Sequence, residues 1–188
     1  MSRPRSSEKR SAILEAAARV FVAEGLGAPT AGIARAAGVA NGSFFTYFET
    51  KADLFNALYL ELKGAMAAAA MRDFPEAADL REQFLHVWSN WMRWAVRNPD
   101  QRRALALLGV SDQITPASRA AGHQIMAGLA ALMERCRANG PMAEAPFALV
   151  AAIMTALAEA TMDFMVQDPN RAEALCQVGF FALWRMLR

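Results

Sequence analysis

Apolar residues recur along this chain at three- and four-residue intervals almost from end to end, a spacing that predicts helices. No stretch alternates apolar and polar positions, and Val and Ile are sparse beside Ala, Leu and Met, so strands are not expected. Ser7 is placed to cap a first helix over about residues 8–24, whose stripe is Ile13, Leu14, Ala17, Val20 and Phe21. Gly25 and Gly27 end it. Thr30, after Pro29, is placed to cap a short second helix ending at Gly38, and a third covers about 41–46. Thr50 opens a fourth, with Asp53 at the N3 position of a capping box, running to about Met71. A fifth begins near Ala78 and stops at Asn98-Pro99, and a sixth covers about 100–108. One long helix from Pro116 to Arg137, another from Pro146 to Val166 and a last from Asn170 to Leu187 bring the expected total to nine. The predicted fold class is all-α.

The block Thr30–Lys51 reads TAGIARAAGVANGSFFTYFETK. Two short helices separated by Gly38-Val39 have the form of a helix-turn-helix. Ala34 and Ala37 are small enough for close helix approach, Gly38 permits a left-handed turn, and Val39 plugs the junction. The ordinary alternative is a core cluster of Phe44, Phe45 and Tyr47 beside a solvated Lys51.

Linked motifs in this part of the chain resemble the tetracycline-repressor (TetR) family over roughly residues 8–60. They are F-x-x-x-G at Phe21–Gly25, T-x-x-I-A-x-x-A-G-V at Thr30–Val39, G-S-F-F-x-Y-F at Gly42–Phe48 and K-x-x-L at Lys51–Leu54. The resemblance implies a nine-helix architecture. A three-helix DNA-binding domain at 1–50 would be followed by a ligand-binding and dimerisation domain at 51–188. It implies a homodimer that binds double-stranded operator DNA and answers to a small-molecule effector. On the recognition helix, Ala40, Asn41, Ser43 and Thr46 would face base edges, Asn41 being able to read adenine. Ser43, Tyr47, Lys51 and Thr30 would meet phosphate, and Phe44 and Phe48 would pack inward. The chain departs from the family pattern at Ala40, where a hydroxyl-bearing cap is common, although Asn41 could substitute. It departs again at Phe45, where a phosphate-directed Tyr is common, and at Gly32.

In the C-terminal half, Phe84, Trp88, Trp91, Met92 and Trp94 crowd one helix, and Met126, Leu129 and Met133 line another. Such side chains can wall an apolar effector cavity, with Met126 and His123 as further contacts. Stripes of this kind are also usual in plain core. The last two helices are apolar on more than one face: Phe180, Phe181, Leu183, Trp184, Met186 and Leu187 wrap one, and Ala148, Ala151, Ala152, Thr155 and Ala156 lighten the other. A second apolar face suits a twofold partner.

Composition narrows the function classes. Of the 188 residues 55% are apolar and 20% charged, enough core for a globular protein. The longest uncharged apolar stretch, Ala145–Ala158, falls short of the roughly 20 residues of a membrane span, and no signal peptide precedes the first helix. Residues 1–51 hold seven Lys/Arg against four Asp/Glu, a basic bias that suits phosphate. Arg3, Arg5, Lys9 and Arg10 contribute most of it. No HExxH, CxxC or phosphate-loop motif occurs and there are two histidines, His86 and His123, so neither enzyme chemistry, nor a metal, nor a cofactor is expected. Two widely separated cysteines, Cys136 and Cys176, suit a reduced cytoplasmic protein. Cys136, between Arg135 and Arg137, leaves a redox-sensing regulator as the alternative.

Overall fold

A computed structural model describes residues 3–188, with side chains from Ser7 onward; the side chains of Arg3 and Arg5 therefore lie outside the described residues. Every regular element among them is helical: α1 (Arg3–Glu24), α2 (Thr30–Ala36), α3 (Asn41–Tyr47), α4 (Lys51–Ala70), α5 (Leu80–Arg97), α6 (Pro99–Gly109), α7 (Pro116–Ile125), α8 (Ala127–Arg137), α9 (Phe147–Gln167) and α10 (Ala172–Leu187), with a 3-10 turn at Pro169–Arg171. Most boundaries fall within two residues of those the sequence predicts, and three differ in kind. The first helix starts at Arg3, so Ser7 lies within it and not at its N-cap. Pro29, not Thr30, occupies the N-cap of α2, and Thr30 is its first helical residue. The long helix expected over 116–137 is two, because Met126, at φ −89° and ψ 2°, leaves helical geometry between α7 and α8.

The chain packs into two compact units. The first runs to Ala65 and takes in Asn98–Gln124. Its core is built on Ile13, Leu14, Ala17 and Phe21 of α1, Ile33 and Ala34 of α2, Phe44 of α3 and Leu54, Phe55, Leu58 and Leu62 of α4. Ala104 and Leu108 of α6 and Ile114 complete it. The capping box expected at α4 forms in full. The Asp53 backbone N–H donates to Thr50 Oγ1 at 3.1 Å, while the Thr50 N–H and hydroxyl donate to the Asp53 carboxylate at 2.9 and 2.8 Å. Thr50→Ala is expected to cost about 1 kcal/mol, read as a lowered urea midpoint with an unchanged slope. Asn56, one turn further on, ties α4 to the segment before α7. Its Nδ2 donates to the Gln113 carbonyl at 3.0 Å and its Oδ1 accepts from the Thr115 N–H at 2.9 Å.

The second unit holds Met66–Arg97 and Ile125–Arg188. Phe84, Val87, Trp88 and Met92 of α5 meet Leu132, Met133 and Cys136 of α8, Val150, Ala158 and Met162 of α9, and Phe180, Leu183 and Leu187 of α10. Buried polar side chains hold its connections. Gln83 donates to the carbonyls of Glu76 and Ala78 at 2.9 and 3.0 Å and so fixes the approach to α5. Arg137, 8% exposed, donates from Nη1 to the carbonyls of Met142, Ala143 and Ala145 and grips Glu134 with Nε and Nη2. Those bonds hold the Glu134 carboxyl below its ordinary range. At 21 residues, α9 is the one helix among those described that is long and apolar enough to cross a bilayer. The uncharged stretch understated it, because Glu159 and Asp163 interrupt the apolar run without ending the helix. One face of α9, with Val150, Ala158, Met162 and Met165, is buried in this unit.

Candidate nucleic-acid interface

The end of α2 explains how α3 is aimed. Gly38 sits at φ +66°, in the left-handed region, and the chain closes there with a Schellman pair. The Val39 N–H donates to the Ala34 carbonyl at 3.0 Å and the Gly38 N–H to the Arg35 carbonyl at 3.1 Å. Val39 then packs against the core of the first unit. An L side chain at position 38 would have to adopt that left-handed backbone at a cost of roughly 1–2 kcal/mol, which is why the turn takes Gly.

Helix α3 divides cleanly into an anchored face and an open one. Phe44 is fully buried and Phe48 4% exposed, their ring centroids 5.8 Å apart. Both pack inward, as the sequence predicts. Ala40, Asn41 and Thr46 are exposed, and Ser43 and Tyr47 half-buried. Phe45 is 49% exposed and meets Phe44 edge-on at 5.2 Å. Ala40 is the N-cap residue of α3 and makes no side-chain cap, and Asn41 is the first helical residue, one position past the cap. Thr30 is half-buried at the start of α2, one position past the N-cap Pro29.

Lys51 begins α4, with Nζ 5.6 Å above the Phe55 ring, and partial burial lowers its ammonium from the ordinary range. Of the basic N-terminal residues, Lys9 is exposed, while Arg10 lies 5.6 Å over the Phe48 ring and braces the helix-turn-helix from α1.

The aromatic group singled out in the C-terminal half does not form one open wall. Phe84, Trp88 and Met92 are 4%, 1% and 0% exposed within the second core, and Trp88 Nε1 donates to the Cys176 carbonyl at 3.0 Å. Trp91, Trp94 and Met126 are half-buried, and His123, exposed, belongs to the first unit. His86 Nε2 lies 2.7 Å from the Arg72 carbonyl oxygen, which also accepts from Asn90 Nδ2 at 3.0 Å. It is a satisfied polar side chain at the end of α4. Cys136 is fully buried, and burial pushes its thiol up to about 11, which works against thiolate chemistry at neutral pH.

On α9 and α10 a second apolar face stays open. Leu149, Ile153 and Phe164, with the exposed small residues Ala148, Ala152, Thr155 and Ala156, run along α9; Val178 and Phe181, 65% and 49% exposed, follow on α10.

Residues 13–58 match the family model described as "Bacterial regulatory proteins, tetR family". Over the whole chain the similarity extends to a tetR family transcription regulator from Shewanella sp. PV-4. The two share 30% identity over 94% of this chain and 96% of that one, with a TM-score of 0.83. The chain belongs to the TetR family. Its activity is therefore that of a transcription regulator with a DNA-binding helix-turn-helix, not of an enzyme. Two more solved family members share the fold. One is a TetR family transcription regulator from Marinobacter aquaeolei VT8, 24% identical over 98% of both chains with a TM-score of 0.85. The other is FadR from Bacillus subtilis in complex with stearoyl-CoA, 19% identical over 95% of this chain and 99% of that one, TM-score 0.70.

Sequence reasoning missed several residues that organise this TetR family member. Asn56, Gln83 and Arg137 act through backbone carbonyls outside their own helices. No local pattern announces such bonds, since any polar residue on a helix face looks solvated until its partner segment is placed.

Proposed function

We propose that the protein is a ligand-responsive repressor that binds a palindromic operator as a homodimer and is released by a small apolar effector. Residues 1–50 are its DNA-binding part and 51–188 its effector and dimerisation part. Ala40, Asn41, Ser43 and Thr46 face base edges in the major groove, with Phe45 beside them; Thr30, Ser43, Tyr47 and Lys51 hold the phosphates. The observation that carries this is the division of α3: Phe44 and Phe48 anchor it while Ala40, Asn41 and Thr46 stand exposed beyond a Gly38 turn.

The partner surface is the open apolar face of α9 and α10. Leu149, Ile153, Phe164, Val178 and Phe181 on one protomer would meet the same residues on the other, as a twofold contact requires. That pairing holds two recognition helices about 34–36 Å apart, one duplex turn. It also accounts for α9 without a membrane, and a cytoplasmic location follows. The effector acts by its different affinity for the two spacings, with α4, whose residues run from one packed unit into the other, as the moving part. The stearoyl-CoA complex of FadR supports an effector with a long apolar body.

Gel shifts with the DNA upstream of the protein's own gene, in excess unrelated duplex, test the reading. Asn41→Ala is expected to weaken operator binding by about 1–3 kcal/mol per half-site and to relax base preference at one position. Lys51→Ala is expected to weaken all duplexes alike and to flatten the salt dependence by about one counterion per protomer. A wild-type chain that shifts no duplex at low salt would remove the proposal.

A further inference from the structure

We propose that Phe45 reads the C5-methyl group of a pyrimidine in the major groove, so that one thymine or methylated cytosine in each half-site is selected by an apolar contact. The assignment rests on the duplex-binding role proposed for α3, and it names a base feature which that helix distinguishes.

Phe45 stands one turn after Asn41 on α3, so the two side chains share a face. Among the described residues of α1–α4 it is the one large apolar side chain left exposed. The ring is not loose. It meets the fully buried Phe44 edge-on, with centroids 5.2 Å apart and planes at 78°, so its position is held while about half of its surface stays open. Gly42, three residues before Phe45, is exposed and carries no side chain to cover the ring. Nothing inside the chain calls for a glycine there. Its φ is not positive, and no atom lies within 4 Å of where a Cβ would stand.

A benzyl group has no donor or acceptor, so it can neither hold a phosphate by a hydrogen bond nor read the polar edge of a base. The one apolar group that a base pair shows in the major groove is the C5-methyl of thymine, which cytosine gains when it is methylated. A ring set against that methyl takes apolar surface of both partners out of water. Its neighbours on α3 are fitted to other features, Asn41 by its amide and Thr46 by its hydroxyl. Ala40, the exposed residue just before the helix, is the rival for the same methyl.

Quantitative gel shifts of the full chain test the assignment. The DNA upstream of the protein's own gene is prepared with thymidine, with deoxyuridine in its place, and with 5-methylcytosine in place of cytosine. Loss of the thymine methyls is expected to weaken wild type about 4-fold per half-site, or about 15-fold for a dimer on two half-sites. Phe45→Ala and Phe45→Gln should bind the thymidine and deoxyuridine probes alike, Phe45→Leu should keep part of the preference, and Ala40→Gly should keep it whole. Every variant meets the same probes, so any change in the stiffness of the uracil-containing duplex cancels. Tighter binding to the 5-methylcytosine probe, with no effect of deoxyuridine, would assign the methyl to a methylated cytosine. A wild type indifferent to both substitutions overturns the proposal, as does a methyl preference that survives in Phe45→Ala or Phe45→Gln and vanishes in Ala40→Gly. Binding without methyl dependence leaves the regulator function standing, whereas a wild type that shifts no duplex at low salt removes both.

Discussion

Phe44→Ala is expected to lower the unfolding free energy by about 3–5 kcal/mol and to abolish operator binding, while its neighbour Phe45→Ala leaves the fold nearly intact. The contrast follows from exposure. Phe44 has no accessible surface and lies between Phe45 and Phe48, its ring centroid 5.2 and 5.8 Å from theirs, whereas Phe45 is 49% exposed. Removing the Phe44 ring leaves a cavity beneath a helix of seven residues, and a helix that short is held by packing rather than by its own hydrogen bonds. With α3 released, the exposed Asn41 and Thr46 lose their fixed aim. Phe45→Ala deletes a half-solvated ring, with a stability change of at most about 1 kcal/mol, and any loss of DNA affinity it causes then reports on contact with the duplex. Urea denaturation and gel shifts on both variants, at one protein concentration, separate packing from recognition. Equal stability of the two variants would contradict the anchored face of α3.

The helix-turn-helix was legible in sequence because its constraints are local. Gly38 is required by a left-handed turn, Ile33, Ala34 and Phe44 recur at helical spacing toward one core, and Thr50 and Asp53 lie three residues apart in a capping box. The helix starts were less legible. Ser7 and Thr30 have the right chemistry for caps, but α1 extends through Ser7 and Pro29 takes the N-cap of α2. The break at Met126 was hidden because every residue from Ala120 to Ala131 other than the glycines suits a helix, and no Pro marks the kink. The aromatic stripe of α5 shows the deeper limit. Spacing places Phe84, Trp88 and Met92 on one face but does not say whether that face meets other side chains or a cavity. The partners decide, and those come from α8, α9 and α10, more than 30 residues away in the chain. The same holds for Tyr59 of α4: the glycine that lets α7 lie against its ring is at position 122.

Trp88 offers the sharpest test of core against cavity. As a core residue it is 1% exposed, its Nε1 donates to the Cys176 carbonyl at 3.0 Å, and a methyl at Gly179 would meet its Cζ2 at 2.9 Å. Its ring also meets Trp91 edge-on with centroids 6.0 Å apart. Trp88→Ala is therefore expected to cost about 3–5 kcal/mol, read as a loss of urea midpoint at fixed protein concentration. Trp88→Phe keeps most of the ring and loses the N–H, so its cost should be about 1 kcal/mol plus the smaller loss of volume. A residue on the wall of an effector cavity would behave otherwise. Trimming it would enlarge a space that is already unfilled, at little cost to stability, and would alter effector affinity first. A Trp88→Ala variant that melts like the wild type would move Trp88 from the core of the second unit to the lining of a ligand site, and with it the neighbouring Phe84 and Met92.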